Sequence, residues 1–578
     1  MNDESINQSP TQFDVVIVGG GSAGCVLANR LTADGRRRVL LVEAGEDTPD
    51  GHVPAAILDS RSGYASRDPR FIWSKLRVTT EAIVAGKPRP RMVRYEQARV
   101  LGGGSAINGQ LANRGAPADY DAWEKLGARG WRWDAVLPYF RKVERDLDFD
   151  GEMHGDAGKI PVRRVFQNCW GEHAKAVASA FEQAGFPYIA DQNAHFEDGY
   201  FPLAITNAYE HRVSAAMGYL GPTVRARSNL TIWAHTHVSE LLFDGKRCTG
   251  IKVERHDGSI QSVQAGEVIV SCGALHSPAM LMRAGIGPAA HLSDLGIPVL
   301  VDRAGVGQGL MDHPAVSLGG YLKPHARRIP GTRRTLLLGL RFSSGLKGFP
   351  SGDLGLTVST KSGWHAIGTR IASMTLWVNR TASNGGSVRL ASRDWRDHPI
   401  VDFNLLSDRA DLERLILGYR QIADIHRKAP IQAVMSNFFA ASFSDKVRKV
   451  SEVNLKNYLL TKIGAVFLDG PNLLRDFMFR RFITENADLD ALLKDEAKLE
   501  AYIKRQAVGV WHATSSCRMG ADDDPMAVTR HDGTVIGVDG LRVVDASIFP
   551  QIPGANTNMP TMMVAERIAD IILGNLPA

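Results

Sequence analysis

From Phe13 to Val18 the chain is apolar and β-branched but for Asp14, the pattern of a strand buried on both faces of a parallel sheet. A glycine turn, Gly19 to Gly24, follows at once, and Val26, Leu27 and Leu31 then recur at helical spacing. Arg38 to Val42 reads as a second strand, so the opening predicts strand, turn, helix, strand in Rossmann-like α/β order. Farther on, Leu241 to Val270 reads as paired strands with turns at Asp244-Gly245 and Asp257-Gly258. Alternation of Ala372, Met374, Leu376 and Val378 predicts a strand of an antiparallel sheet, while helical spacing marks Asp408 to Lys428 and Leu489 to Lys504. Leu541 to Val544 predicts a buried strand, and a final helix is expected over Thr561 to Leu573. The turn-rich stretch from Asp47 to Asp68 and the basic segment Lys87 to Arg94 read as an excursion without sheet strands. Trp377 is expected to pack in a core.

The opening turn has the spacing G-x-G-x-x-G. In it Gly19 allows the tight turn, Gly21 lets a pyrophosphate approach the backbone, and Gly24 lets the helix pack closely on the strand. The helix starting at Ser22 and Ala23 turns its free N–H groups toward those phosphates. Glu43, nineteen residues past Gly24, suits a free ribose 2′-hydroxyl and disfavours NADP. FAD and NAD share this half-site, and the turn does not separate them. A second glycine run, Gly102-Gly103-Gly104-Ser105, lets backbone lie against a flat or anionic group.

At 578 residues the chain is long enough to divide into two or more domains. Its 68 basic and 62 acidic residues leave a net charge of +6, too evenly spread to indicate nucleic acid as a partner. The five cysteines, Cys25, Cys169, Cys248, Cys272 and Cys517, have neither disulfide-framework nor zinc-site spacing, and no metal is expected; a reducing compartment fits. Met1 to Gln12 has no apolar core of a secretory signal, and no apolar run reaches membrane-spanning length. A cytoplasmic protein without an integral membrane segment is expected, with peripheral attachment through a surface patch left open.

Ala98 to Asn108 resembles, nearly position by position, the first signature of the glucose-methanol-choline (GMC) flavoprotein oxidoreductases. Gly273 to Gly287 resembles the second, departing only at Ala284, where serine is usual; within it Ser277 is expected to cap a helix whose first residue is Pro278. The resemblance implies noncovalent FAD, because Ile107 stands where members with covalent flavin carry a histidine. It also implies an α/β FAD-binding domain of GMC type, built from residues 12–50, 90–160, 225–320 and 505–578. An α+β substrate domain on an antiparallel sheet is expected from residues 161–224 and 321–504, with 51–89 as a lid-like excursion. Cofactor contacts carried over by the resemblance are Gly19, Gly21, Ser22, Ala23, Gly24, Glu43, Ala44, Trp73, Val100, Gly103, Gly104 and Asn108. Farther along they are Val238, placed against the adenine, Trp511, Asp545, Ala546, Asn556 and Thr557.

The same resemblance maps the family's active-site pair onto His512 and Asn556. Imidazole titrates near neutrality and takes a hydroxyl proton, while an amide holds the same oxygen, and hydride passes to flavin N5. Pro553 to Pro560 opens the final helix, whose start would stabilise negative charge on a reduced flavin. Asp191 to Pro202, Asp402 to Asp408, Val510 to Ala513 and Ala555 to Asn558 most resemble the hydroxymethylfurfural oxidase and aryl-alcohol oxidase branch. That likeness implies oxidation of furanic and benzylic primary alcohols, and of aldehyde hydrates onward to acids. Dioxygen, giving hydrogen peroxide, or a quinone or other carrier serves as acceptor. The fold also hosts flavin-dependent lyases and decarboxylases, against which the His512 and Asn556 pair argues.

Overall fold

The structure, a computed structural model, describes residues 11–61, 63–83, 86, 90–441, 445–479, 481 and 489–576. Residues 1–10 of the polar N-terminal stretch and 87–89 of the basic segment lie outside the described residues.

The opening strand runs from Thr11 to Val18 and lies between Val39–Val42 and Ile260–Val270, parallel to both, with Val15 opposite Val39 and Glu267. Leu230–Trp233 adds a parallel edge beyond Val39–Val42, and Leu541–Val543 joins the end of Ile260–Val270. The other end of that long strand turns antiparallel: it pairs with Arg247–Glu254, which pairs with His237–Asp244. These are the paired strands expected between Leu241 and Val270, and they extend a dinucleotide-type sheet. The helix Ser22–Leu31 packs with the final helix, Asn558–Ile572, and Arg30 ion-pairs with Glu566 and Asp570 on it.

A second sheet is antiparallel throughout. Its order is Met435–Ala441, Pro314–Leu322, Ile371–Val378, Leu354–Ser359, Leu336–Phe342 and Gly199–Pro202, with Val508–Gly509 on the Pro314 end. The alternation read at Ala372, Met374, Leu376 and Val378 places those four in the second hydrophobic core. Helix Arg409–His426 covers that core with Leu412, Leu415, Tyr419 and Ile422, and Asp408 caps it by accepting the Ala410 N–H.

Three expectations change. Arg77–Thr79 and Met92–Arg94 are strands of a five-stranded sheet with Ile400–Asp402, Gly386–Arg389 and Gln308–Leu310, so the excursion does contain strands; at three residues each they are too short to show alternation. Through that sheet Val388, Val401 and Phe403 join the first core, not the second. The helix read over Leu489 to Lys504 is two helices, Leu489–Lys494 and Glu496–Gln506, because Asp495 caps the second by accepting the Lys498 N–H.

A buried ionic knot joins residues from four stretches of the chain between Arg114 and Asp191. Arg114 pairs with Glu144 at 2.7 Å, Arg164 with Asp146 at 2.6 Å, and His154 Nε2 with Asp191 at 2.7 Å, three cations against three carboxylates. Opposite charges this deeply buried persist only when paired.

Candidate active site

A cavity of about 660 Å³ is lined by the first glycine turn, the second glycine run, the Val508–Ala513 loop, the start of the final helix, and Thr357, Thr375 and Trp377 of the antiparallel sheet. Its volume is that of a cofactor or ligand site. Of the residues nominated from sequence, Gly19, Gly21, Ser22, Ala23, Glu43, Ala44, Trp73, Val100, Gly103, Gly104, Asn108, Val238, Trp511, His512, Asp545, Ala546, Asn556 and Thr557 all line it. Gly24 stands behind the wall, where a Cβ would lie 2.0 Å from the Gly19 carbonyl oxygen; it permits the helix to approach the strand. Gly103 brings the two glycine turns together, since a Cβ there would lie 2.6 Å from Gly21 Cα.

Two long helices begin at this wall without side-chain caps, one after Gly21 and the other after Thr557. Ser22 Oγ donates to Asn558 Oδ1 at 2.7 Å, fastening one helix start to the other. Their first-turn N–H groups and positive dipole ends are therefore available to an anion such as a pyrophosphate. Glu43 is buried and accepts the Gly20 N–H at 2.9 Å and the Gly45 N–H at 2.7 Å, so it braces the turn as well as facing the cavity. Burial raises its carboxyl above the usual range, against the pull of those N–H donors and Arg99. Trp73 stacks on His276 with centroids 5.0 Å apart, and the Arg99 guanidinium lies 5.1 Å from its centroid. His276 Nε2 is buried in this wall with no hydrogen-bond partner among the described residues. Uncapped helix starts, a buried acid, an aromatic shelf and an orphaned donor or acceptor fit a dinucleotide such as FAD.

Ser277 acts differently from the expectation. The helix starts at Ser277 itself, behind His276, and Ser277 Oγ donates to Asp545 Oδ2 at 2.6 Å while accepting the Cys272 N–H at 3.1 Å. Ser277 is thus a strut rather than a cap. Asp545 also accepts the Gly273 N–H at 2.8 Å and the Ser547 N–H at 2.7 Å, which joins three segments of the wall.

At the other end, His512 Nε2 lies 2.9 Å from Asn556 Nδ2, and His512 Nδ1 lies 2.8 Å from His313 Nδ1. His313 Nε2 is 3.1 Å from the Pro553 carbonyl, which only accepts. The protons are then determined along the chain. His313 carries its proton on Nε2 and accepts on Nδ1, so His512 carries its own on Nδ1 and keeps a lone pair on Nε2 toward Asn556. Both rings stay neutral: burial holds His313 down at about 4, and burial followed by the neighbouring His313 holds His512 well below the ordinary imidazole value.

Asp312 builds the bend that presents His512. Its Oδ1 accepts N–H groups from His313 at 2.8 Å, Val510 at 3.1 Å and His512 at 3.0 Å. Between the last two, Trp511 has φ of 62°, a left-handed conformation costing about 1–3 kcal/mol for a side-chain-bearing residue. Burial raises the Asp312 carboxyl to about 7. Ligand atoms of Asp312, His313 and His512 lie within 4.8 Å of one another, yet the carboxylate is already engaged by these amides. Neither Asp312 nor His313 was nominated from sequence; an acid–histidine pair before a strand start was the available signal.

Models of the GMC oxidoreductase family match residues 13–315 and 382–565. The chain belongs to the GMC oxidoreductase family. It is 45% identical over 571 residues to a 5-(hydroxymethyl)furfural oxidase from Methylovorus sp., covering 97% of this chain and 99% of that one. It is 30% identical over 595 residues to an oxygen-dependent choline dehydrogenase from Photobacterium profundum, covering 98% and 94%. Among solved structures, pyridoxine 4-oxidase from Mesorbium loti superposes with a TM-score of 0.78 at 25% identity, over 97% of this chain and 99% of that one. As a GMC oxidoreductase the chain uses FAD and oxidises alcohols.

Its GMC cavity also contains a residue expected in a core. Trp377 is half-buried and lines the cavity beside Thr375, because the period of two that buries Leu376 and Val378 turns its odd-numbered neighbours the other way.

Proposed function

We propose that this GMC oxidoreductase oxidises furanic and benzylic primary alcohols to aldehydes, and hydrated aldehydes to acids, with dioxygen as acceptor and hydrogen peroxide as product. The observation that carries this reading is the His512 Nε2 to Asn556 Nδ2 approach of 2.9 Å at the cavity wall. When bound, FAD supplies the acceptor for the hydride that leaves the alcohol carbon. His512 takes the hydroxyl proton on its free Nε2, and Asn556 donates to the same oxygen to orient it. The half-buried Trp377 and Leu336 give an aryl ring an apolar wall. The 45% identity to a relative named for hydroxymethylfurfural oxidation supports the substrate class.

FAD is held without a covalent bond in this reading: Ile107 offers hydrocarbon at the cavity wall, and burial raises the Cys272 thiol, the cysteine that lines it, far from its reactive form. All five cysteines are free, which supports a cytoplasmic setting. The test is peroxide formation with benzyl alcohol and 5-(hydroxymethyl)furfural under air, beside anaerobic bleaching of the flavin by the same alcohols. Bleaching without peroxide would transfer the acceptor role to another carrier; no bleaching by any primary alcohol would overturn the substrate class.

A further inference from the structure

Helix Leu455–Asp469 is inside out relative to an ordinary surface helix. Its buried side carries Thr461, Gly464, Ala465 and Leu468, mostly small residues, whereas Leu455, Leu459, Ile463 and Val466 follow one another along the exposed side. Leu455 is 72% exposed and Val466 70%, and Leu473, in the following helix Asn472–Met478, is 85% exposed. Single exposed leucines are ordinary, but a continuous stripe of them marks a contact surface. Within the helix the charged residues are Lys456 and Lys462, both exposed, and the terminal Asp469, which is paired with Arg327 and Arg370. The Lys462 ammonium stands 4.4 Å from the Tyr458 ring centroid. Just before this helix, the exposed Val447 and Glu452 belong to the cavity lining, so the stripe adjoins the outer edge of the active-site cavity.

We propose that this face lies on an anionic lipid surface, with the apolar stripe in the headgroup–acyl boundary and Lys456 and Lys462 on the lipid phosphates. An apolar face flanked by lysines and an aromatic ring has the chemistry of a helix lying in the membrane interface. Among the described residues no helix is long and apolar enough to cross a membrane, so the contact is one of lying on, not spanning. A second copy is the weaker occupant. A two-fold interface on this stripe would set the lysines of one copy near those of the other, while the acid that ends the helix, Asp469, is already paired with Arg327 and Arg370.

The test is flotation of the holoenzyme with vesicles of phosphatidylcholine alone or of phosphatidylcholine with phosphatidylglycerol, at low and high salt, beside sedimentation velocity without lipid. Flotation is expected with the phosphatidylglycerol vesicles and is weakened by salt. It should fall about tenfold in the Leu459→Ser, Ile463→Ser double variant and about fivefold for each of Lys456→Ala and Lys462→Ala. Alcohol oxidation by these variants in solution should match the parent, which shows that they are folded. Absence of flotation with phosphatidylglycerol vesicles overturns the proposal, as does flotation indifferent to all four substitutions. A lipid-free dimer that the double serine variant dissolves would also overturn it, giving the face to a second copy.

Discussion

His313 Nδ1 lies 2.8 Å from His512 Nδ1, and because His313 spends its other nitrogen on the Pro553 carbonyl, it decides which nitrogen of His512 is basic. A His313→Ala variant frees His512 to carry its proton on either nitrogen. Flavin reduction by benzyl alcohol under anaerobic conditions should slow about a hundredfold, the low end of what a positioned base contributes, with FAD content unchanged. His313→Gln, which keeps an acceptor for the Nδ1 proton, should recover part of the rate. A His313→Ala enzyme that reduces its flavin at the parental rate and pH profile would remove this positioning role.

His512→Ala should lose about a hundredfold to ten thousandfold in the same stopped-flow reduction rate while retaining FAD. Asn556→Ala should lose less, because it orients the hydroxyl without taking its proton. Equal rates in parent and His512→Ala would place the base elsewhere in the cavity.

The base works when deprotonated, and burial beside His313 pushes the His512 pKa downward. The reduction rate should therefore stay flat as pH falls through about 6.5, where free imidazole protonates, and decline only well below it. A rate that halves near the ordinary imidazole value would show His512 to be solvated in the working enzyme.

Glu43→Ala removes the acceptor of two buried turn amides as well as a cavity wall group. Each amide left unpaired costs about 1–3 kcal/mol, so both FAD retention and the apoprotein melting temperature should drop. Glu43→Gln, which keeps one carbonyl acceptor, should melt closer to the parent. Full FAD occupancy in purified Glu43→Ala would end the cofactor role, whatever its melting temperature.

Stability should peak near neutral pH and fall to either side. Burial lowers His173 to about 3 and His313, His365 and His426 to about 4. Below about 6.5 the unfolded chain binds protons that these folded rings refuse, so stability falls with pH. Carboxyls raised by burial, Asp312 to about 7 and Glu43, Asp119, Asp148 and Asp545 in the same direction, work the other way and offset part of this loss. Burial pulls His154 down, yet its bonds to Asp146, Asp191 and Glu144 prevail and raise it to about 10. Its contribution is complete below about 6.5 and is lost as pH rises through about 10. Melting temperatures that climb steadily from pH 5 to pH 9 would contradict this assignment.

The parts of this fold that the sequence disclosed are those written in a short period or a rigid spacing. Phe13 to Val18 and the glycines at 19, 21 and 24 announce themselves because burial on both faces and close backbone approach leave few residue choices. The Ala372 to Val378 alternation was equally plain, although it hid Trp377, whose side follows from parity only once the core side is known. Arg77–Thr79 and Met92–Arg94 are too short for any period, and although they pair with each other, the strand that joins them to the sheet, Ile400–Asp402, lies hundreds of residues away. Asp312 and His313 escaped for a related reason: their work is done on the backbone and ring of residues near 512, and the local acid–histidine pair does not point to that distant partner.

The Ser22 to Asn558 hydrogen bond spans 536 residues, and the strand Leu541–Val543 closes onto Ile260–Val270 across about half that separation. During synthesis the first glycine turn therefore waits, bare, until nearly every other residue has left the ribosome. At about 5–20 residues per second that interval is on the order of half a minute to two minutes. Completion of the cofactor wall is accordingly a finishing step of folding, made when Asn558 reaches Ser22 and the two helix starts come to face one site.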